Sequence, residues 1–173
     1  MRRPGDGQRI AVDPDGNPWI TNSLGEIYSW SQGAFQRQPG GAFDIGIGSN
    51  GATWIVGTDR GIYEWVGGAW LRRRGSGQRI AVDPSGAPWV TNQEGEIYQW
   101  VGGQFVRKPG GASDVGIGAD NSIWIIGTDG GVYRWNGPSE SWSRHPGSGT
   151  NIAVTAAGKA WLTNSRGEIY RRP

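Results

Sequence analysis

The sequence contains no cysteine, one histidine and one methionine among its 173 residues. Without cysteine there is no disulfide, no thiol nucleophile and no thiolate metal site, so stability must come from packing, and the redox compartment is left open. Acid/base and hydrolytic chemistry draws on histidine, cysteine or paired carboxylates in a cleft. The single His145 shares a column with Gln38, Arg73 and Lys108, which reads as a surface position. No apolar run approaches the ~20 residues that span a bilayer, and the N-terminus lacks the apolar stretch of a signal peptide. These absences predict a soluble chain without membrane insertion, cytoplasmic or secreted without a visible signal peptide. Charge of one sign is also lacking: 17 Lys and Arg face 15 Asp and Glu, leaving +2. That balance disfavours nucleic acid as a partner.

What the chain has instead is 11 Trp and 32 Gly, aromatic anchors separated by tight turns. They recur with a fixed period, in "IAVDPDGNPWITNSLGEIYSW", "IGIGSNGATWIVGTDRGIYEW", "IAVDPSGAPWVTNQEGEIYQW", "VGIGADNSIWIIGTDGGVYRW" and "IAVTAAGKAWLTNSRGEIY". Trp19, Trp54, Trp89, Trp124 and Trp161 mark one column, and Tyr28, Tyr63, Tyr98, Tyr133 and Tyr170 another. The period lengthens by two residues only at the last step, inside the turn "NGPSES", where a loop absorbs insertion without disturbing strand register. Each unit reads as four short strands, "RIAV", "PWITN", "EIYSW" and "AFQRQP", divided by Asp, Asn, Pro and Gly turns and ended by "PGG". So small an antiparallel sheet cannot bury both faces alone, and radial stacking of such sheets gives a β-propeller.

The fold expected is therefore all-β, a five-bladed β-propeller of four-stranded antiparallel blades in one domain over residues 1–173. Its blades span about 6–40, 41–75, 76–110, 111–147, and 148–173 together with 1–5. The opening "MRRPG" repeats the endings "RQPG", "RKPG" and "RHPG", so the N-terminal strand is expected to complete the C-terminal blade and close the ring. Part of a six-bladed ring, or an oligomeric assembly, is the alternative. Before the aliphatic strands stand Arg9, Asp44, Arg79, Asp114 and Asn151, alternating signs that predict ion pairs between neighbouring blades.

The steps G-x-x-W-[IVL], [IV]-Y-x-W and G-x-[FW]-x-R-x-x-G resemble the tectonin repeat along the whole chain. That resemblance implies a lectin-like propeller that binds glycans or bacterial surface saccharides through repeated sites. Sugar recognition needs an aromatic face for C–H surfaces and amide or carboxylate groups for hydroxyls. The candidate saccharide residues are Asn22 with Trp30, Asp59 with Trp65, Asn92 with Trp100, Asp129 with Trp135, and Asn164, whose unit carries Arg172 in the Trp column. Packing of that column is the competing reading. The first Trp column, each member followed by an aliphatic residue, is expected in the core between blades. Asp13, Asp15, Asp83 and Asp120 read as turn residues bonding their own backbone, too few and too widely spaced for calcium. No cofactor, metal or catalytic residue is expected. Arg2, Arg37, Arg72, Arg107 and Arg144 form a basic column, one per blade, that reads as cover for an outer sheet edge rather than a nucleic-acid groove. The functional expectation is a monomeric, multivalent carbohydrate-binding protein. The rival is a non-catalytic structural or engineered repeat scaffold without a specific ligand.

Overall fold

Short β-branched and aromatic runs bounded by glycine turns give strands and leave no length for a helix. In the computed structural model, which describes residues 6–171, 18 strands form four sheets. In the first unit β1 (Arg9–Val12), β2 (Pro18–Thr21), β3 (Glu26–Ser31) and the start of β4 (Ala34–Ile47) pair antiparallel in chain order. The end of β4 begins the second unit, followed by β5 (Thr53–Gly57), β6 (Gly61–Val66) and β7 (Ala69–Ser76). The third unit is β8 (Arg79–Val82), β9 (Pro88–Thr91), β10 (Ile97–Val101) and β11 (Gln104–Lys108). The fourth is β12 (Ala112–Ile117), β13 (Ile123–Gly127), β14 (Gly131–Asn136) and β15 (Ser141–Ser148). The fifth has three described strands, β16 (Asn151–Val154), β17 (Ala160–Thr163) and β18 (Ile169–Arg171). The N-terminal strand expected to complete it falls on residues 1–5, outside the described residues.

One element departs from the sequence expectation. The "PGG" of the first unit does not end a strand: β4 runs through it and belongs to two units. Gly40 takes a left-handed φ of 83°, and the pairing with β3 shifts register between Glu26 and Ile27. A bulge of this kind re-aims a strand without breaking it, so the chain passes from one unit to the next inside a single strand.

The units pack through the two faces of each sheet. One face offers the first Trp column and Ile27, Ile62, Ile97 or Val132; the next unit answers with Ile45, Ile80, Val115 or Ile152 and with Ile55, Val90, Ile125 or Leu162. Trp54 and Trp89 are fully buried in these junctions, as are Ile27, Ile62, Ile97 and Val132. Each such side chain contributes roughly 1.5–3 kcal/mol on burial, so the junctions, not the separate sheets, hold the fold together. The first strands converge on an axis: Val12, Ile47, Val82, Ile117 and Val154, one per unit, line a common cavity of about 450 Å³. Beside it the expected charge alternation is realised, Arg9 with Asp44 at 3.7 Å and Arg79 with Asp114 at 3.9 Å. Each Asp also accepts the backbone N–H of the following unit, Ile80 for Asp44 and Ile152 for Asp114.

The outer faces of the first and last units differ from these junctions. Ile10 is 67% exposed where Ile45, Ile80 and Val115 are 5%, and Ile169 is 70% exposed where Ile27 and Ile97 are 0%. Among the described residues, these apolar groups of the first and last units are not packed into a junction of the kind that joins the other units.

Candidate functional site

The turn between the Trp and Tyr strands orders the outer half of every unit. In the first unit the Asn22 carboxamide oxygen accepts the N–H groups of Leu24 and Glu26, while its Nδ2 donates to the Glu26 carboxylate at 2.8 Å. Glu26 then accepts the Tyr28 hydroxyl at 2.9 Å. The third and fifth units repeat this as Asn92–Glu96–Tyr98 and Asn164–Glu168–Tyr170. The second and fourth reach the same end differently. Asp59 accepts both the Gly61 N–H and the Tyr63 hydroxyl, and Asp129 does so from Gly131 and Tyr133. Room for those aspartates is made by glycine, since a Cβ on Gly57 or Gly61 would stand 2.6 or 3.1 Å from Asp59 Oδ1.

Every described tyrosine hydroxyl in this column therefore donates to a carboxylate. The Asn22 and Tyr28 hydrogen bonds hold Glu26 below the usual carboxylate range, as Asn92 and Tyr98 do for Glu96 and the Tyr63 hydroxyl for Asp59. The reciprocal bonds push Tyr28, Tyr63 and Tyr98 above the ordinary phenol value. Arg37 at 3.3 Å from Glu26 and Arg107 at 3.2 Å from Glu96 complete the clusters, so part of the basic column serves these carboxylates. Glu26, Glu96 and Glu168 are absent from the sequence-derived candidates. Their signal is an exchange between repeat types: units with "GEIY" have Asn four residues before the Glu, and units with "TDxG" carry the acid two residues earlier.

Three of the four candidate tryptophans lie against tryptophans of the preceding unit. Trp65 is 5.8 Å from Trp19, Trp100 is 5.4 Å from Trp54 and Trp135 is 5.4 Å from Trp89, ring to ring. Trp30 rests on Phe35 at 5.0 Å. All four remain half-buried.

Two of the candidates meet in one concavity. Between the second and third units, at the outer edge, a groove of about 630 Å³ is lined by Asn92, Tyr98, Trp100 and Phe105 on one side and Arg72–Arg74 on the other, with Gln104 at its mouth. Arg73 is forked onto Glu64, its guanidinium 5.5 Å above the Trp100 ring. Arg74 stands exposed, with no acidic partner among the described residues. Smaller cavities occupy the same place at later junctions. Asp129 and Tyr133 line about 240 Å³ between the third and fourth units, and Asn164 and Tyr170 about 300 Å³ between the fourth and fifth. Asn22 with Trp30 and Asp59 with Trp65 line none of these three. The large groove combines aromatic, amide and cationic groups within a volume typical of small-ligand sites.

Comparison with known proteins bears on both fold and family. No curated protein matches the chain. Among solved structures it is similar to the WD40 β-propeller domain of Doa1, with 14% identity and a TM-score of 0.74 over 99% of this chain and 64% of that one. It is also similar to the Cps50 (Swd1) β-propeller domain of Myceliophteria thermophila, with 11% identity and a TM-score of 0.77 over 98% and 65%. The likeness shows a β-propeller-like fold, and the chain spans about two thirds of the length of the structures it matches. The Tectonin domain model matches residues 6–173. With the Trp and Tyr columns in register along all five units, the chain belongs to the Tectonin domain family.

Proposed function

We propose that this is a non-catalytic, multivalent carbohydrate-binding protein whose saccharide sites are the outer grooves between successive units. The observation that carries the reading is the groove of about 630 Å³ where Asn92, Tyr98 and Trp100 converge opposite Arg72–Arg74. Sugar C–H surfaces stack on aromatic faces, and hydroxyls bond to amide and guanidinium groups. Glycans, including bacterial surface saccharides, fit that chemistry. Useful strength arises from linked sites, which raise apparent affinity by ~10²–10⁴ without new contacts. As part of this proposal the five units form one propeller domain, with residues 1–5 completing the fifth blade and covering its edge.

The scaffold reading has one observation in its favour: Trp65, Trp100 and Trp135 each pack against a tryptophan of the preceding unit. A glycan array probed with the purified chain separates the two. The lectin reading expects a coherent set of hits, weakened by Arg74→Ala and Gln104→Ala, exposed positions with no role in the core. A blank array under multivalent display refutes it.

A further inference from the structure

The junctions between units are not equivalent, and an outer-strand aromatic is one of the differences, beside Arg74 in the place of Pro39 and Pro109. In the second and fourth units the outer strand begins with Trp70 or Trp142; in the first and third the same position is Phe35 or Phe105. Trp70 Nε1 donates to the Pro39 carbonyl oxygen of the preceding unit at 2.8 Å, and Trp142 Nε1 to that of Pro109 at 2.8 Å. These bonds draw each indole across the junction. Its Cδ1 lies so near the preceding chain that a Cβ on Gly40 or Gly110 would stand 3.2 or 3.3 Å from it. Phe105 has no N–H to reach across. It packs on Trp100 of its own unit at 4.9 Å, and a Cβ on Gly75 would meet it only at 3.6 Å. The volumes differ in the same sense, about 630 Å³ where Phe105 stands and about 240 Å³ where Trp142 stands, at the same place in the repeat.

We propose that this outer-strand aromatic is a gate. A tryptophan tied to the preceding unit's proline carbonyl narrows the groove, and a phenylalanine leaves it wide. The alternation of repeat types then grades the linked sites. The junctions entering the second and fourth units are the narrowed ones, and that entering the third is the wide one. The cavity entering the fifth unit, about 300 Å³, holds Asn164 and Tyr170 with Arg171 and no described aromatic from the Trp100 or Phe105 columns. The inference rests on the groove being the ligand site, but its physical core, wide against narrow, does not need a sugar to test.

The test uses the full chain and a neutral gadolinium chelate as probe, with relaxation enhancement of backbone amides read by NMR. In the unmodified protein, Asn92 and Tyr98 should be relaxed more strongly than Asp129 and Tyr133. Phe105→Trp should remove that excess. Trp142→Phe, a shortening that keeps a ring at the site, should raise relaxation at Asp129 and Tyr133 and leave Asn92 and Tyr98 unchanged. Equal relaxation of both grooves in the unmodified protein overturns the gate. So does no change in either variant, or a rise at both grooves in Trp142→Phe, which reports general loosening. If the grooves widen and narrow as stated and the glycan array is blank, the saccharide reading fails while the gate stands.

Discussion

Three equivalent tryptophans offer a controlled measurement of one buried hydrogen bond. Trp54 Nε1 donates to the Gly86 carbonyl oxygen at 3.1 Å, and Trp124 Nε1 to that of Gly158 at 3.2 Å. Trp89, buried to 0% exposure in the same column, has no acceptor for its Nε1 among the described residues, and Asn121 replaces glycine at the matching turn. Tryptophan to phenylalanine removes a similar apolar area at all three positions, so that term cancels in the comparison. What remains is polar. Trp54→Phe loses a bond worth ~1 kcal/mol net and leaves the Gly86 oxygen to find another donor, whereas Trp89→Phe deletes a donor whose unsatisfied burial costs ~1–3 kcal/mol. Trp54→Phe should therefore destabilise by about 2 kcal/mol more than Trp89→Phe, with Trp124→Phe resembling the former. For a chain of this length each kcal/mol corresponds to ~2–4 °C in Tm. Equilibrium urea unfolding of the three variants, with melting curves beside it, reads the difference. Equal losses, or a greater loss in Trp89→Phe, refute the reasoning.

Asp44 supplies a pH signature. Burial pushes its carboxyl up from 3.8 to about 6, against the pull of Arg9 and Arg79 and the N–H of Ile80, with Asp114 adding to the rise. A raised carboxyl favours the folded state most when protonated, so its contribution is complete below the unfolded value and is lost as pH rises through about 6. The stability of the unmodified protein relative to Asp44→Asn should fall by up to ~3 kcal/mol between pH 4 and 7; a flat difference contradicts the burial argument. Gly57→Ala forces a Cβ to within 2.6 Å of Asp59 Oδ1 and 2.8 Å of Tyr63 Cε2. It should cost ~1–3 kcal/mol and return the Tyr63 hydroxyl toward its ordinary titration range, checked by ultraviolet titration. Trp100→Ala should lower stability by ~3 kcal/mol as well as weaken binding at its own groove, since Trp100 packs on Trp54 and Phe105; an unchanged melting curve shows that column to be energetically idle.

Local physics made the repeat legible. Turn residues at fixed spacing and β-branched runs located β1–β3 and their counterparts to within a residue or two. The alternating Arg and Asp before the first strands announced their ion pairs, and Asp13, Asp83 and Asp120 bond their own turns as the "DPDG", "DPSG" and "ADNS" contexts suggest. The continuation of β4 through "PGG" escaped this reasoning, because the same residues that end a strand also make a bulge, and only the pairing on both sides decides between them.

The candidate site divides in the same way. That each unit carries an aromatic and an amide or acid near one edge follows from the sequence, since both columns are periodic. Which of them meet does not follow. Asn92 and Trp100 share a groove because the outer strand of the preceding unit, bearing Arg72–Arg74, approaches from across a junction, and that approach is set by how two sheets pack. The exchange of Trp for Phe is plain in the repeats, but its consequence depends on a carbonyl 31 or 33 residues away in the chain, that of Pro39 for Trp70 and of Pro109 for Trp142. The sequence by itself determined the strands, the turns and the junction core, because these depend on side-chain period and backbone preference. Only the tertiary structure decided the groove, the tyrosine–carboxylate pairs and the exposure of Ile10 and Ile169, because each depends on the distance between groups in the folded chain.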